Sequence, residues 1–332
     1  MKEEDIRPTK YMSEGSKLLA QDIKRLMKNK NKFEKVPCPA CNADNYENIF
    51  KKDGFSFVRC RDCQTLFINP RPTPAMLESY YATSKNLKYW NDKLFLASEN
   101  SRREQIFVPR AKRVAQICKK YVNAKKVLLD VGAGFGTFCE EIKKIPIFSD
   151  VIAVEPSTEL SETCRRKGIM VIAKPIERVN LGEIKNLNVI TCFELIEHLY
   201  SPKDFLLSCN RILPKGGLLI LTTPNIKGFD LLVLGKLSDN IGGPNHLNYF
   251  NQKSISKLFK DCGFKVVETK TPGKLDAEIV RKKIISGEFN AKSQPFLQDV
   301  LINQWEELGD TFQKFLAENN LSSHLWVVAQ KI

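Results

Sequence analysis

The chain has 332 residues, 42% of them hydrophobic, and a formal net charge of +14. That length supports one sizeable core plus a smaller module. The longest apolar runs, such as Gly217 to Thr222, fall far short of the roughly 18–20 residues of a membrane helix, which excludes a helical span, and the opening Met1-Lys2-Glu3-Glu4-Asp5 is no signal peptide. A cytoplasmic, soluble protein is expected. Ten cysteines fit a reducing compartment: four form tight pairs, and Cys118, Cys139, Cys164, Cys192, Cys209 and Cys262 stand singly in apolar or helical stretches. The basic residues are dispersed, with clusters at Lys24–Lys35 and Arg110–Lys126 among acidic ones. This is a lysine-rich surface more than a nucleic-acid stripe.

Residues 1–35 read as a charged, weakly amphipathic helix with a loose start. Residues 36–70 are rich in Cys, Pro and Asn and suit short hairpins. Asn69-Pro70-Arg71-Pro72-Thr73-Pro74 reads as a stiff extended linker. Residues 71–123 form a helical linker or cap, with apolar residues at three- and four-residue spacing from Ile106 to Tyr121. From about residue 124 to 332 strand and helix alternate. Strands are expected at Lys126–Val131, Val151–Glu155, Ile169–Ala173, Leu187–Phe193, Gly217–Thr222, Phe264–Thr269 and Ser323–Ala329. Helices are expected at Phe135–Lys144, Glu159–Lys167, Pro202–Leu213 and Lys253–Cys262. This pattern implies an α/β, mostly parallel sheet covered on both faces. Insertions interrupt it at 224–250 and, as helices, at about 271–320.

The strongest chemical signal is Leu128-Leu129-Asp130-Val131-Gly132-Ala133-Gly134-Phe135-Gly136. A buried strand ends in a glycine loop that opens a helix, so the backbone can turn sharply and approach a ligand. The spacing is G-x-G-x-G, not the G-x-G-x-x-G of dinucleotide folds. Asp130 would repel a pyrophosphate but suits a ligand carrying an ammonium and a sulfonium. Glu155 ends the second strand, 19 residues after Gly136, where a carboxylate can accept both ribose hydroxyls. Pro156 and Ser157 then lie near an adenine. The fourth strand ends Phe193-Glu194-Leu195-Ile196-Glu197-His198, and Leu213-Pro214-Lys215-Gly216-Gly217 precedes the fifth.

Cys38/Cys41 and Cys60/Cys63 are separated by 18 residues. That is the spacing of a two-knuckle zinc ribbon. Four thiolates close a tetrahedral sphere, so the zinc is structural, and in so small a module the metal supplies the folding energy.

The glycine loop and the later motifs resemble class I S-adenosylmethionine methyltransferases over residues 126–270 and the last strand. The resemblance implies a Rossmann-like seven-stranded sheet. It implies cofactor contacts from Asp130, Gly132, Gly134, Gly136, Glu155, Pro156 and Phe193, with the fourth-strand tip facing the methyl group. Cys60-x-x-Cys63-x-x-Leu66-Phe67-Ile68-Asn69-Pro70-Arg71-Pro72, then Leu77-x-x-Tyr80-Tyr81, resembles a bacterial family that joins an N-terminal zinc ribbon to such a domain. Its members are associated with sugar, polysaccharide and natural-product modification. The related zinc-containing sugar C-methyltransferases carry a longer C-terminal domain than the stretch after residue 270.

Methyl transfer to a hydroxyl or carbon acid requires a base. His198, after the fourth strand, and His246, in the loop Gly242–Phe250, are the candidates, with Glu194 beside them. His324 opens the last strand as a structural residue. Thr222-Thr223-Pro224-Asn225 is expected to line the substrate side. Glu194, Glu197 and His198 share one face if their segment is helical. With His246 they resemble the Glu-x-x-Glu-His…His site of small-RNA 2′-O-methyltransferases, and ubiquinone-pathway O-methyltransferases have a similar motif. That reading adds a second, divalent cation acting on a hydroxyl. The leading expectation is a small-molecule acceptor, a sugar or nucleotide sugar, with the positive charge favouring a phosphorylated one. The alternatives are an RNA methyltransferase and a non-catalytic cofactor-binding protein.

Overall fold

The computed structural model describes residues 2–122, 126–180 and 184–332. The boundary expected between residues 123 and 124 lies outside the described residues. The strands are β1 (Tyr46–Lys52), β2 (Phe55–Cys60), β3 (Leu66–Ile68), β4 (Lys126–Val131), β5 (Phe148–Val154), β6 (Met170–Ile172), β7 (Leu187–Phe193), β8 (Leu218–Pro224), β9 (Asn248–Tyr249), β10 (Phe264–Lys270) and β11 (His324–Lys331). No helix among the described residues is long and apolar enough to cross a membrane.

Asn100–Thr223, Ile255–Thr269 and Trp326–Ile332 form one unit. Its sheet runs β10-β11-β8-β7-β4-β5-β6. The pairs β4/β5, β4/β7, β5/β6 and β7/β8 are parallel. At the end of β11, the Lys331 N–H donates to Gly217 O and its carbonyl accepts from Gly216 N, both at 2.9 Å. Such a reciprocal exchange marks an antiparallel neighbour. This is the mostly parallel, Rossmann-like seven-stranded sheet expected from the alternation. Strand order reverses beside β4, which opens a crevice at the carboxyl ends of β4 and β7.

The helix Val108–Tyr121 buries Ala111, Val114, Ala115 and Cys118, an i, i+3, i+4, i+7 stripe. These pack into one core with Leu128, Phe138, Val189, Ile220 and Val328. The helix after the glycine loop starts at Thr137, two residues later than expected, because Gly136 caps it in the left-handed region at φ 71°.

Met1–Glu99, Pro224–Ser254 and Lys270–Leu325 form the other unit. β1 and β2 meet at Asp53-Gly54, both with positive φ (52° and 84°), the backbone of a tight hairpin turn. β2 pairs with β3 and β3 with β9, both antiparallel. Phe55, Phe57, Leu66, Phe67, Ile68 and Tyr249 are fully buried in this sheet. Residues 1–35 do not form one α-helix but two, Glu3–Ile6 and Thr9–Met27, with Pro8 between them, and the insertion contributes the helices Asp276–Ile285 and Trp305–Glu318. Asn69–Pro74 is no free linker. The Arg71 side chain is buried, and its backbone bridges to Glu34 through two 2.9 Å hydrogen bonds.

Candidate active site

β4 delivers Asp130 into the sheet unit almost wholly buried. Its carboxylate accepts from Thr191 Oγ1 at 2.7 Å and Cys139 Sγ at 3.5 Å. Burial pushes the carboxyl up to about 7, against the pull of those hydrogen bonds and the Arg110 charge. Gly132, Gly134 and Gly136 all take positive φ (75°, 55° and 71°). At Gly136 a Cβ would also lie 2.7 Å from Ile169 Cδ1 and 2.8 Å from Cys164 Sγ. Gly132 N–H donates to Val154 O at 2.9 Å, and Gly134 N–H to Glu155 Oε2 at 2.9 Å. The other Glu155 oxygen accepts from Ser157 N–H at 3.0 Å. Glu155 therefore ties the glycine loop to the tip of β5. Burial raises its carboxyl, and the two backbone donors oppose that. The exposed Pro156 follows it.

At the tip of β7 two carboxylates meet two hydroxyls. Thr222 Oγ1 donates to Glu194 Oε1 at 2.6 Å, and Thr223 Oγ1 donates to Glu197 Oε2 at 2.9 Å. Glu194 is exposed and takes a left-handed φ of 51°. Glu197 is fully buried, and burial with the Glu194 charge pushes its carboxyl well above the usual range. His198 Nε2 lies 3.8 Å from Glu197 Oε1. The helical face expected for Glu194, Glu197 and His198 does not form. Ile196–His198 is a single 3₁₀ turn, and the threonines of β8, not helical spacing, hold the acids.

Phe193 is gripped from several sides. Its ring meets Phe138 edge-on at 4.8 Å and Trp326 at 5.8 Å, and the Arg110 guanidinium stacks over it at 4.4 Å. Burial lowers the Arg110 pKa, while Glu194 and Asp130 oppose the shift. A guanidinium stays protonated under such shifts, so Arg110 sets a fixed positive charge between two carboxylates.

Residues 102–269, just over half of the chain, match the family model described as a methyltransferase domain. The chain belongs to this methyltransferase family. The ubiquinone biosynthesis O-methyltransferase of Methylococcus capsulatus is 28% identical over 120 residues, covering 34% of this chain and 50% of that protein. The same-named protein of Psychrobacter arcticus is 26% identical over 161 residues, covering 42% and 60%. The chain thus spans about half the length of the curated relatives it matches. A solved S-adenosylmethionine-dependent methyltransferase from Clostridium acetobutylicum superposes over 73% of this chain and 98% of its own, at 12% identity and a TM-score of 0.46. Residues 102–269 thus form a methyltransferase domain.

In the methyltransferase's other unit, Cys38, Cys41, Cys60 and Cys63 bring their sulfurs within 4.8 Å of one another. The pairs Cys38/Cys63 and Cys41/Cys60 stand 3.5 Å apart. Bonds of about 2.3 Å to a tetrahedral zinc require sulfur separations of roughly 3.8 Å, whereas a disulfide needs about 2.05 Å. The donor set fits zinc. His246 is half-buried in this unit, its Nδ1 2.8 Å from Asn240 O and its ring edge-on to Tyr249 at 5.8 Å.

Sequence reasoning missed Arg110 and the separate grips of Thr222 and Thr223. For Arg110 a signal was present: an arginine on the amphipathic helix that precedes the glycine-loop strand in sequence. The sequence points to Thr222 and Thr223 for the substrate side but carries no signal of which acid each holds, because only strand pairing brings β8 beside the tip of β7.

Proposed function

We propose that this methyltransferase moves the methyl group of S-adenosylmethionine to a hydroxyl of a small metabolite of the sugar or nucleotide-sugar kind. The observation that carries the reading is the paired carboxylates at the tip of β7. Glu194 is exposed, Glu197 is buried, and each is fixed by its own threonine. A hydroxyl acceptor must lose a proton as the new bond forms, and a fixed carboxylate can take it. The names of two relatives, both O-methyltransferases, support an oxygen acceptor. The net charge of +14 favours a phosphorylated one.

The cofactor, when bound, supplies an electrophilic methyl on a sulfonium. Its partners in this chain follow from charge. Asp130 offsets the ammonium and sulfonium, and Arg110 receives the carboxylate. Glu155 accepts the ribose hydroxyls with the lone pairs that Gly134 and Ser157 leave open. Gly132, Gly134 and Gly136 keep the loop open to close approach, with Pro156 and Phe193 beside the ligand. His198 and His246 are the further proton carriers of the reading. Residues 36–70 act as a structural zinc ribbon, and 124–332 carry the catalysis. The ten cysteines form no disulfide, which suits a reducing, cytoplasmic setting.

The test is cofactor binding by calorimetry, then transfer of labelled methyl to a panel of nucleotide sugars, hydroxylated metabolites and RNA. Transfer to a small hydroxyl, cut by about 10²-fold or more in Glu194→Gln, is the expected result. Transfer to RNA alone would overturn the proposal.

A further inference from the structure

We propose that the metal held by the four cysteines controls the order of the histidine-bearing loop, residues 238–251, so that the ribbon is the mould on which that loop is cast. This rests on the zinc reading above and goes beyond it by giving the ribbon a task other than its own folding.

The argument starts from β9, which has two residues and no stability of its own. Its partner in the sheet is β3, through Leu66↔Tyr249 and Phe67↔Asn248. β3 begins three residues after Cys63. The Ile68 N–H donates to Leu247 O at 3.0 Å, and Asn251 Nδ2 donates to the Cys63 carbonyl at 2.9 Å. Both flanks of β9 are thus fastened to the segment that follows the second cysteine knuckle. The buried Arg71 adds a third tie, donating from Nη2 to Asn248 Oδ1 at 3.0 Å and from Nε to Ile68 O at 3.2 Å.

From Tyr249 the order passes to His246. The Tyr249 ring packs against Phe57 of β2 at 6.2 Å. Its hydroxyl donates to Asn240 O at 3.2 Å and accepts from Gly242 N–H at 3.0 Å. Asn240 O is the same carbonyl that holds His246 Nδ1. At Gly243 a Cβ would lie 2.7 Å from both Ile68 and Phe55, so the loop backbone lies directly on the sheet. Without the metal the two knuckles lose what joins them, since metal binding and folding are coupled in such modules. β3 then has no fixed edge to offer β9.

The experiment is hydrogen–deuterium exchange by mass spectrometry on the full chain. Zinc content is read by native mass spectrometry, before and after chelation and after zinc is restored. Exchange across 240–251 should rise by roughly 10-fold or more on chelation and return with zinc, while the helices Asp276–Ile285 and Trp305–Glu318 keep their protection. Asn251→Asp is the second variant. It keeps the oxygen that caps Lys253 and Ser254 at 3.0 Å but loses the donor to Cys63. It should retain one zinc and still loosen 246–251 by several-fold. Zinc lost with the loop unchanged would overturn the inference and leave the zinc reading standing. Loop and insertion helices opening together would overturn it as global unfolding. A protein that never carries zinc would overturn both.

Discussion

The two units bring their chemistry together in different ways. In the seven-stranded unit, Asp130, the three glycines and Glu155 lie within one strand–helix–strand stretch of chain, and Glu155 ties the glycine loop to the tip of β5. In the four-stranded unit, the cysteine sheet takes β1 to β3 from residues 46–68 and β9 from residues 248–249. Neither segment foretells the other. The first unit shows how a site is built from local backbone geometry. The second shows how an edge strand is recruited from a distant insertion, which places the cost in loop closure between remote segments.

The comparison yields predictions of decreasing size. Cys60→Ser should remove the metal and destabilise the four-stranded unit by several kcal/mol, bounded by the roughly 10–16 kcal/mol of structural zinc sites. Metal content and thermal unfolding measure this, and an unchanged melting profile would mean the sheet stands on its core alone. Glu155→Ala should weaken cofactor binding by about 10²-fold or more, since it removes charge-assisted hydrogen bonds worth roughly 1.5–3 kcal/mol each. Calorimetry reads the loss, and zinc content should stay at one per chain. A shared loss of both ligands would break the separation of the units. Gly136→Ala should cost about 1–3 kcal/mol in unfolding of the seven-stranded unit, from the left-handed backbone and the close Cys164 and Ile169.

The last effect concerns pH. The Asp130 carboxyl rises from 3.8 to about 7 on folding. The free protein therefore binds a proton there that the unfolded chain releases, and its stability falls as pH rises from about 4 to about 7. A cationic cofactor favours the ionised form, so affinity should weaken below pH 7 by at most about ten-fold per unit. Asp130→Asn should flatten that dependence in titration calorimetry.

Much of the sheet unit was legible because its signals are local. The run from Lys126 to Val131 is the strand β4 at its expected bounds, and the left-handed glycines follow from the G-x-G-x-G spacing itself. The helix expected from Phe135 was read two residues too early, because a glycine that can cap looks like any other glycine in one dimension. The Glu194–His198 segment invited a helical reading from its i, i+3, i+4 spacing. The strand-end geometry instead left one 3₁₀ turn and a left-handed Glu194. The prolines around Arg71 suggested a linker, and nothing in them foretold a buried guanidinium bonded to Asn248.

The sequence by itself determined the alternating strands and helices, the cofactor loop with its acidic partners, and the two cysteine knuckles. These depend on hydrophobic period, on which residues tolerate positive φ, and on ligand spacing, all properties of short segments. Only the tertiary structure decided that Thr222 and Thr223 would hold Glu194 and Glu197, that Arg110 would stack on Phe193, and that β9 would complete the cysteine sheet. Those contacts join residues tens to hundreds of positions apart. They form because packing and strand pairing must satisfy buried polar groups wherever the chain brings them.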